Sequence, residues 1–186
     1  NTFMAKGVIP FSHPLSLGTI GMKSRDLPWF AFESADVVLC IGYDMVEYHP
    51  EMWNPDGDKV IVNIDALPAE VDENYIVGVG VLGDLNQSLP AIAAKARPRT
   101  DTPFQPIRDA IIADRQQYAD DEGFPVKPQK IVWDLREALA PEDIAISDVG
   151  AHKMWMARMY RAERPNTCLI SNGFAAMGIA VPGAIA

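Results

Sequence analysis

Residues 36–42, DVVLCIG, and residues 59–65, KVIVNID, decide the fold. Each is a short, continuous run of apolar and largely β-branched residues. Gly42 closes the first run and Asp65 the second. A strand with one wet face alternates apolar with polar residues, whereas unbroken runs of this length suit a parallel sheet buried on both faces. Between them lies YDMVEYHPEMWNPDG, residues 43–57, in which Pro55-Asp56-Gly57 signals a turn. A third run, Val79–Leu82, leads to Gly83-Asp84, and Asp84 is placed to cap a helix over Leu85–Lys95. A short aromatic helix over Pro28–Ser34 precedes the first strand.

The chain then changes character. Residues 96–127 are rich in proline, enclose a polar helix around Ile107–Tyr118, and read as a linker lying on the surface. Pro128 suits the first turn of a new helix, in which Ile131, Val132, Leu135, Ala138 and Leu139 recur on one face. A strand over Ile144–Asp148, a helix through His152–Tyr160 and a strand over Thr167–Ser171 follow. The resulting fold class is α/β, with a first unit at residues 1–95, a linker at 96–127 and the beginning of a second unit at 128–186.

Composition bounds the function. Across 186 residues, 48% are hydrophobic and 22% charged, the range of an ordinary globular chain. A net charge of −9 argues against a nucleic-acid surface and against an anionic membrane surface, both of which call for clustered Lys and Arg. No apolar run approaches a bilayer span and no signal-peptide pattern opens the chain, so a cytoplasmic location is expected. Cys40 and Cys168 each sit in an apolar, β-rich run, the setting of a buried free thiol rather than a disulfide. No Cys/His cluster suggests a metal, and neither His13 nor His49 has a spaced partner.

Three stretches invite chemistry. Gly78-Val79-Gly80-Val81-Leu82-Gly83 matches the dinucleotide GxGxxG pattern, but its glycines flank a strand and no acid-bearing second strand follows at the required distance; it reads as a decoy. Ser147-Asp148-Val149-Gly150-Ala151-His152-Lys153 lies at the carboxyl end of a parallel strand and opens a helix, where open α/β sheets bind ligands. There Gly150 admits close backbone approach, the free N–H groups of the helix favour a phosphate, and His152 is either a donor to a diphosphate oxygen or a helix-start histidine in solvent. In Ser171-Asn172-Gly173-Phe174-Ala175-Ala176-Met177-Gly178, Met177 either fills core or props a planar ligand from below while backbone near Ala175 approaches it.

Taken together, these stretches resemble the thiamine diphosphate enzymes of the acetolactate synthase type. FMAKGVIPFSHPLSLGTIGM, ADVVLCIGYDMVEYHPEMWNPDGDKVIVNID and LPAEVDENY resemble that family's central domain, and IGYDMVEYHPEMWN is especially like its catabolic branch. ISDVGAHKMWMARMY and SNGFAAMGIAVPGAIA resemble the opening of its diphosphate-binding domain. The resemblance implies an enzyme that decarboxylates pyruvate and condenses the enamine with a second pyruvate to give 2-acetolactate. It places Gly150, Ala151 and His152 at the diphosphate and the backbone of Ala175 and Met177 at the aminopyrimidine ring, with Met177 as the wedge that bends the cofactor. Family members often carry Gln where Ala151 stands and Gly where Ala175 stands.

The resemblance also implies what lies elsewhere. The activating glutamate belongs to an amino-terminal domain, and the Mg2+ ligands, in a GDG…N motif, follow residue 186. The chain therefore reads as an internal piece of a longer enzyme, inactive alone, and no metal ligand is expected in it. FAD is doubtful: Gly21-Met22 and Asp65 fall where flavin-binding relatives hold it, but Tyr43-Asp44 stands in place of the family's arginine. The expected partners are a small 2-keto acid and further copies of the full-length chain, as a homodimer or homotetramer. Alternatives left open are another thiamine diphosphate-dependent decarboxylase or carboligase and a non-catalytic nucleotide-binding module.

Overall fold

A computed structural model describes residues 1–22, 25–98 and 101–186, so residues 99–100 of the expected linker lie outside the described residues. The described chain forms two compact units, Trp29–Thr102 and a second made of Asn1–Pro28 with Pro103–Ala186.

In the first unit, α1 (Trp29–Glu33) leads into β1 (Val37–Ile41), β2 (Val60–Asp65), β3 (Val77–Leu82) and α2 (Leu85–Ala93). The three strands form one parallel sheet in the order β1-β2-β3. Val37 pairs with Val60 and Ile41 with Ile64, so the carboxyl ends of β1 and β2 finish level. One face rests on an aromatic core: Trp53 lies 5.3 Å from Phe32 and 6.1 Å from both Tyr43 and Tyr75, ring centre to ring centre. Rings meeting at these distances and tilts add about 0.5–1.5 kcal/mol per pair beyond their burial. Three amide side chains serve the polar needs of this core. The Tyr75 hydroxyl donates to Asn63 Oδ1 at 2.7 Å, and Asn54 and Asn74 donate to each other's backbone carbonyls at 2.7 and 3.2 Å.

The expectation that this sheet is buried on both faces fails for the described residues. Val37, Leu39, Ile41, Val60, Val79 and Leu82 are exposed. Unbroken apolar runs report what a sheet is able to bury, and the helical cover inside this unit is α2, which reaches β2. Asp84 caps α2 as its position demanded, its side chain accepting from the Asn86 N–H at 2.9 Å. Gly78 and Gly80 lie inside β3 and Gly83 just beyond it, so the GxGxxG match is a strand and not a phosphate loop.

In the second unit, α3 (Gln105–Gln116), α4 (Pro128–Ala138), β4 (Ala145–Ser147), α5 (Ala151–Met159), β5 (Cys168–Ile170) and α6 (Ala180–Ile185) follow in order. β4 and β5 pair in parallel, Ala145 with Cys168 and Ser147 with Ile170. Phe3 and Met22 of the amino-terminal segment join Val132, Met156, Tyr160 and Ile170 in one core. The segment 103–127, expected on the surface, buries Arg108, Ile111 and Arg115 of α3. On α4 the buried positions are Val132 and Arg136, with Leu135 and Leu139 against the core, while Ile131 and Ala138 are exposed. Arg136 takes the interior place because its guanidinium donates to the Tyr160 hydroxyl at 2.9 Å and to the Leu139 carbonyl.

Helix α6 has no counterpart in the sequence reading, since AVPGAI carries both Pro182 and Gly183. Pro182 is the third helical residue, where no intrahelical N–H bond is made, so the ring costs the ladder nothing. Cys40 and Cys168 are buried free thiols.

Candidate functional site

Because β4 and β5 are parallel and in register, their following loops, 148–150 and 171–179, leave the sheet at the same end. Carboxyl ends of parallel strands are where α/β sheets hold ligands. Gly150 opens α5 with φ of +150°, and a Cβ built on it would come within 2.9 Å of His152 Cε1 and 3.1 Å of Nδ1. The imidazole is thus folded back over Gly150, and a side chain there would displace it. No side chain caps α5. The N–H groups of Ala151 and His152, at its first two positions, precede the helical ladder and face outward as donors.

On the other loop Ala175 adopts φ of +47°, Gly173 +67° and Gly178 +93°. These left-handed positions throw the segment into a tight loop. Met177 is 82% exposed, so it does not fill core. The structure therefore puts Gly150 on one loop, with Ala151 and His152 opening α5 directly after it, and Ala175 and Met177 on the neighbouring loop.

What joins the loops is Asp148, which the sequence reading quoted but did not assign. Its Oδ1 accepts the N–H groups of Val149 and Gly178, each at 2.7 Å, and its Oδ2 accepts that of Ala180 at 3.1 Å. The backbone N–H of Val149, then those of Gly178 and Ala180, hold its carboxyl below the usual range, helped by the nearby His152. A second tie runs beside it: Lys153 Nζ donates to Asn172 Oδ1 at 2.8 Å, with its ammonium 5.4 Å from the Phe3 ring centre. Burial lowers the Lys153 pKa. The available signal was an acid directly after a strand and before a glycine at a helix start.

Residues 1–92 match the family model described as thiamine pyrophosphate enzyme, central domain, and residues 148–186 match thiamine pyrophosphate enzyme, C-terminal TPP binding domain. The chain belongs to the thiamine pyrophosphate enzymes. Its α/β architecture, a parallel-sheet central domain followed by the start of a cofactor-binding domain, is that of this family. Acetolactate synthase from Bacillus subtilis is 34% identical over 90% of the chain and 30% of its own length. The catabolic acetolactate synthase of Raoultella terrigena is 32% identical over 90% of the chain and 31% of its own. A probable acetolactate synthase large subunit from Methanocaldococcus jannaschii is 32% identical over 99% and 33% respectively. The chain thus spans about a third of the length of these relatives.

The sheet unit has its own crevice, of about 210 Å³, at the carboxyl ends of β1 and β2. Tyr43, Asp44, Asn63, Asp65, Glu70 and Tyr75 line it, and no Lys or Arg does. A flavin's diphosphate carries negative charge, which three carboxylates repel. The lining offers a diphosphate three carboxylates and no cation. Among the described residues no group of three His, Cys, Asp or Glu side chains could hold a metal ion, and no helix is long and apolar enough to cross a membrane.

Proposed function

We propose that this chain is the diphosphate- and aminopyrimidine-holding part of an acetolactate synthase-like enzyme, a carboligase that decarboxylates pyruvate and joins the two-carbon remainder to a second pyruvate. The observation that carries the reading is the pair of loops fastened at one end of β4 and β5, one presenting an uncapped helix start and the other an exposed Met177.

The residues fit the cofactor in kind. The N–H groups of Ala151 and His152 supply donors for a diphosphate, and Gly150 leaves room for its approach. Backbone at Ala175 and Met177 supplies polar groups for an aminopyrimidine, with the Met177 side chain free to sit beneath the bend. Ala151 leaves the diphosphate to backbone contacts, since it has no side-chain donor where relatives often carry Gln. When bound, thiamine diphosphate supplies the electron sink for decarboxylation and carbon–carbon bond formation, and the protein supplies binding, orientation and exclusion of water. The activating glutamate and the Mg2+ ligands are proposed to come from parts of the whole protein outside residues 1–186. That protein is proposed to be a cytoplasmic homodimer or homotetramer without FAD, acting on a 2-keto acid. The division into a central domain at 1–95, a linker at 96–127 and a cofactor domain from 128 belongs to the same proposal.

The test is a titration of the full-length protein with thiamine diphosphate and Mg2+, run beside one with an adenine nucleotide, followed by an assay of pyruvate conversion to 2-acetolactate. Saturable thiamine diphosphate binding with 2-acetolactate as product supports the reading. Binding with another product replaces the reaction by that of a different decarboxylase or carboligase. Nucleotide binding alone overturns the enzymatic reading.

A further inference from the structure

We propose that Asp148 is a positioning residue, which fastens the loop carrying Gly150 to the loop carrying Met177 so that both present one preformed surface to the cofactor. The last step rests on the thiamine diphosphate reading above; the fastening does not.

The fastening follows from the donor geometry. A carboxylate just past β4 accepts from its own loop at Val149 and from the far loop at Gly178 and Ala180. Gly178 N–H belongs to the peptide bond whose carbonyl is that of Met177, so the tie grips the backbone at the wedge itself. Ala180 is the first residue of α6, whose start has no side-chain cap of its own. Asp148 thus serves as that helix's acceptor from a distance of 32 residues in sequence. Acceptors that carry charge bind N–H groups about twice as strongly as neutral ones, which suits a tie in an exposed loop. The loop needs one, because Gly173, Ala175 and Gly178 all hold positive φ and a Cβ on Gly173 or Gly178 would meet nothing within 4 Å. Little packing fixes those two turns. The Lys153–Asn172 bond secures the other end of the same loop. Asp148 is not aimed at a ligand, since its oxygens are occupied by backbone donors.

Asp148→Asn keeps the shape and turns one acceptor oxygen into a donor that faces backbone N–H. The first readout is amide hydrogen exchange in the cofactor-free full-length protein. Gly178 and Ala180 are expected to exchange at least about tenfold faster in Asp148→Asn, with the amides of β4 unchanged. The second readout separates positioning from general structure. The thiamine diphosphate concentration for half-saturation is expected to rise about 10–100-fold, the size seen when a residue supporting a bound group is lost, while half-saturation by pyruvate moves less than twofold. A merely structural residue would lower the active fraction and leave half-saturation by the cofactor in place. Unchanged exchange at Gly178 and Ala180 overturns the fastening. Faster exchange with half-saturation within twofold of the unsubstituted protein overturns the positioning role. If the unsubstituted protein does not bind thiamine diphosphate, the cofactor reading and the positioning role fall together, and the exchange data alone decide the tie. Should Asp148→Asn not fold, Asp148→Glu, which keeps the charge and moves the oxygens by one methylene, is judged by the same two readouts.

Discussion

The two units are held together by different chemistry. In the unit built on β1, β2 and β3, the interior is aromatic and apolar, and its buried polar side chains are the amides Asn54 and Asn63. In the unit that contains β4 and β5, four cationic side chains are buried among the described residues: Lys6, Arg108, Arg115 and Arg136. Their partners are largely backbone carbonyls. Arg108 donates to Ser16 and Phe11 carbonyls at 2.7 and 2.5 Å, Arg115 to the Arg158 carbonyl at 2.6 and 3.0 Å, and Lys6 to the Ala157 carbonyl at 2.9 Å. The first unit is assembled by surface removed from water. The second is pinned by donors that reach from one segment to the loose ends of another, notably the last carbonyls of α5, where cations also suit the helix dipole.

The largest effect is expected where one side chain fills the most space. Trp53 is buried against Phe32, Tyr43 and Tyr75, and its indole N–H donates to the Tyr43 hydroxyl at 3.1 Å. Trp53→Ala is expected to cost about 3–5 kcal/mol, read as faster exchange of the β1 and β2 amides and a lower urea midpoint. A loss below about 1 kcal/mol would mean that the aromatic cluster does not carry this sheet.

Arg115 tests the other kind of interior. Burial draws its pKa down to about 10, yet it remains charged at neutral pH and stacks 4.7 Å from the Phe11 ring centre. Arg115→Met removes charged hydrogen bonds worth about 1.5–3 kcal/mol each in other proteins, and a net loss of about 2–3 kcal/mol in urea unfolding is expected. An unchanged or raised stability would show that a flexible apolar side chain replaces the cation without cost, as buried ionic groups sometimes allow.

The same contrast explains what was legible in the sequence. DVVLCIG and KVIVNID announced their strands because apolar, β-branched continuity is a local property. Asp84 announced the start of α2 because a cap acts two residues away. Arg115 and Arg136 gave no such sign: their acceptors include the Arg158 carbonyl and the Tyr160 hydroxyl, far along the chain. A cation on a helix reads as a solvated face until the segment that meets it is known. At the candidate site, Gly150 and His152 were visible as a strand-to-helix turn, while Asp148 was not singled out because its partners at Gly178 and Ala180 become neighbours only when β4 and β5 pair.

Lys6 sharpens the comparison through pH. Its ammonium is buried and donates to the Thr19 hydroxyl and the Ala157 carbonyl, each at 2.9 Å, and burial foremost pulls its pKa from 10.5 to about 7. The unfolded chain keeps this proton up to pH 10.5, whereas the folded chain releases it near 7. Between those values the unfolded state binds more protons, so stability rises with pH. Cys168, pushed by burial from 9.0 to about 11, works in the opposite sense above pH 9, and the buried Asn1 amino group, lowered from 8.0 to about 6, adds to the gain below pH 8, which leaves pH 8–9 as the clean window. Urea unfolding across it is expected to show a gain on the order of 1 kcal/mol per pH unit. Lys6→Met should flatten that slope; a slope that survives the substitution belongs to another group.

The smallest effect lies at a helix start, where the two units also differ. α2 carries its own cap, with Asp84 accepting from the Asn86 N–H at 2.9 Å, whereas α5 begins at Gly150 with none. Asp84→Ala should cost about 1 kcal/mol, and Asp84→Asn only a few tenths, because either side-chain oxygen serves as the acceptor. Thermal unfolding of the two variants in parallel checks this. Equal losses for Ala and Asn would assign the contribution to the negative charge at the helix start rather than to the hydrogen bond. Equal neutrality would mean that α2 is held by its packing on β2 alone. In either case its counterpart at α5 has no side-chain cap on its first N–H groups, the condition that a diphosphate at Ala151 and His152 requires.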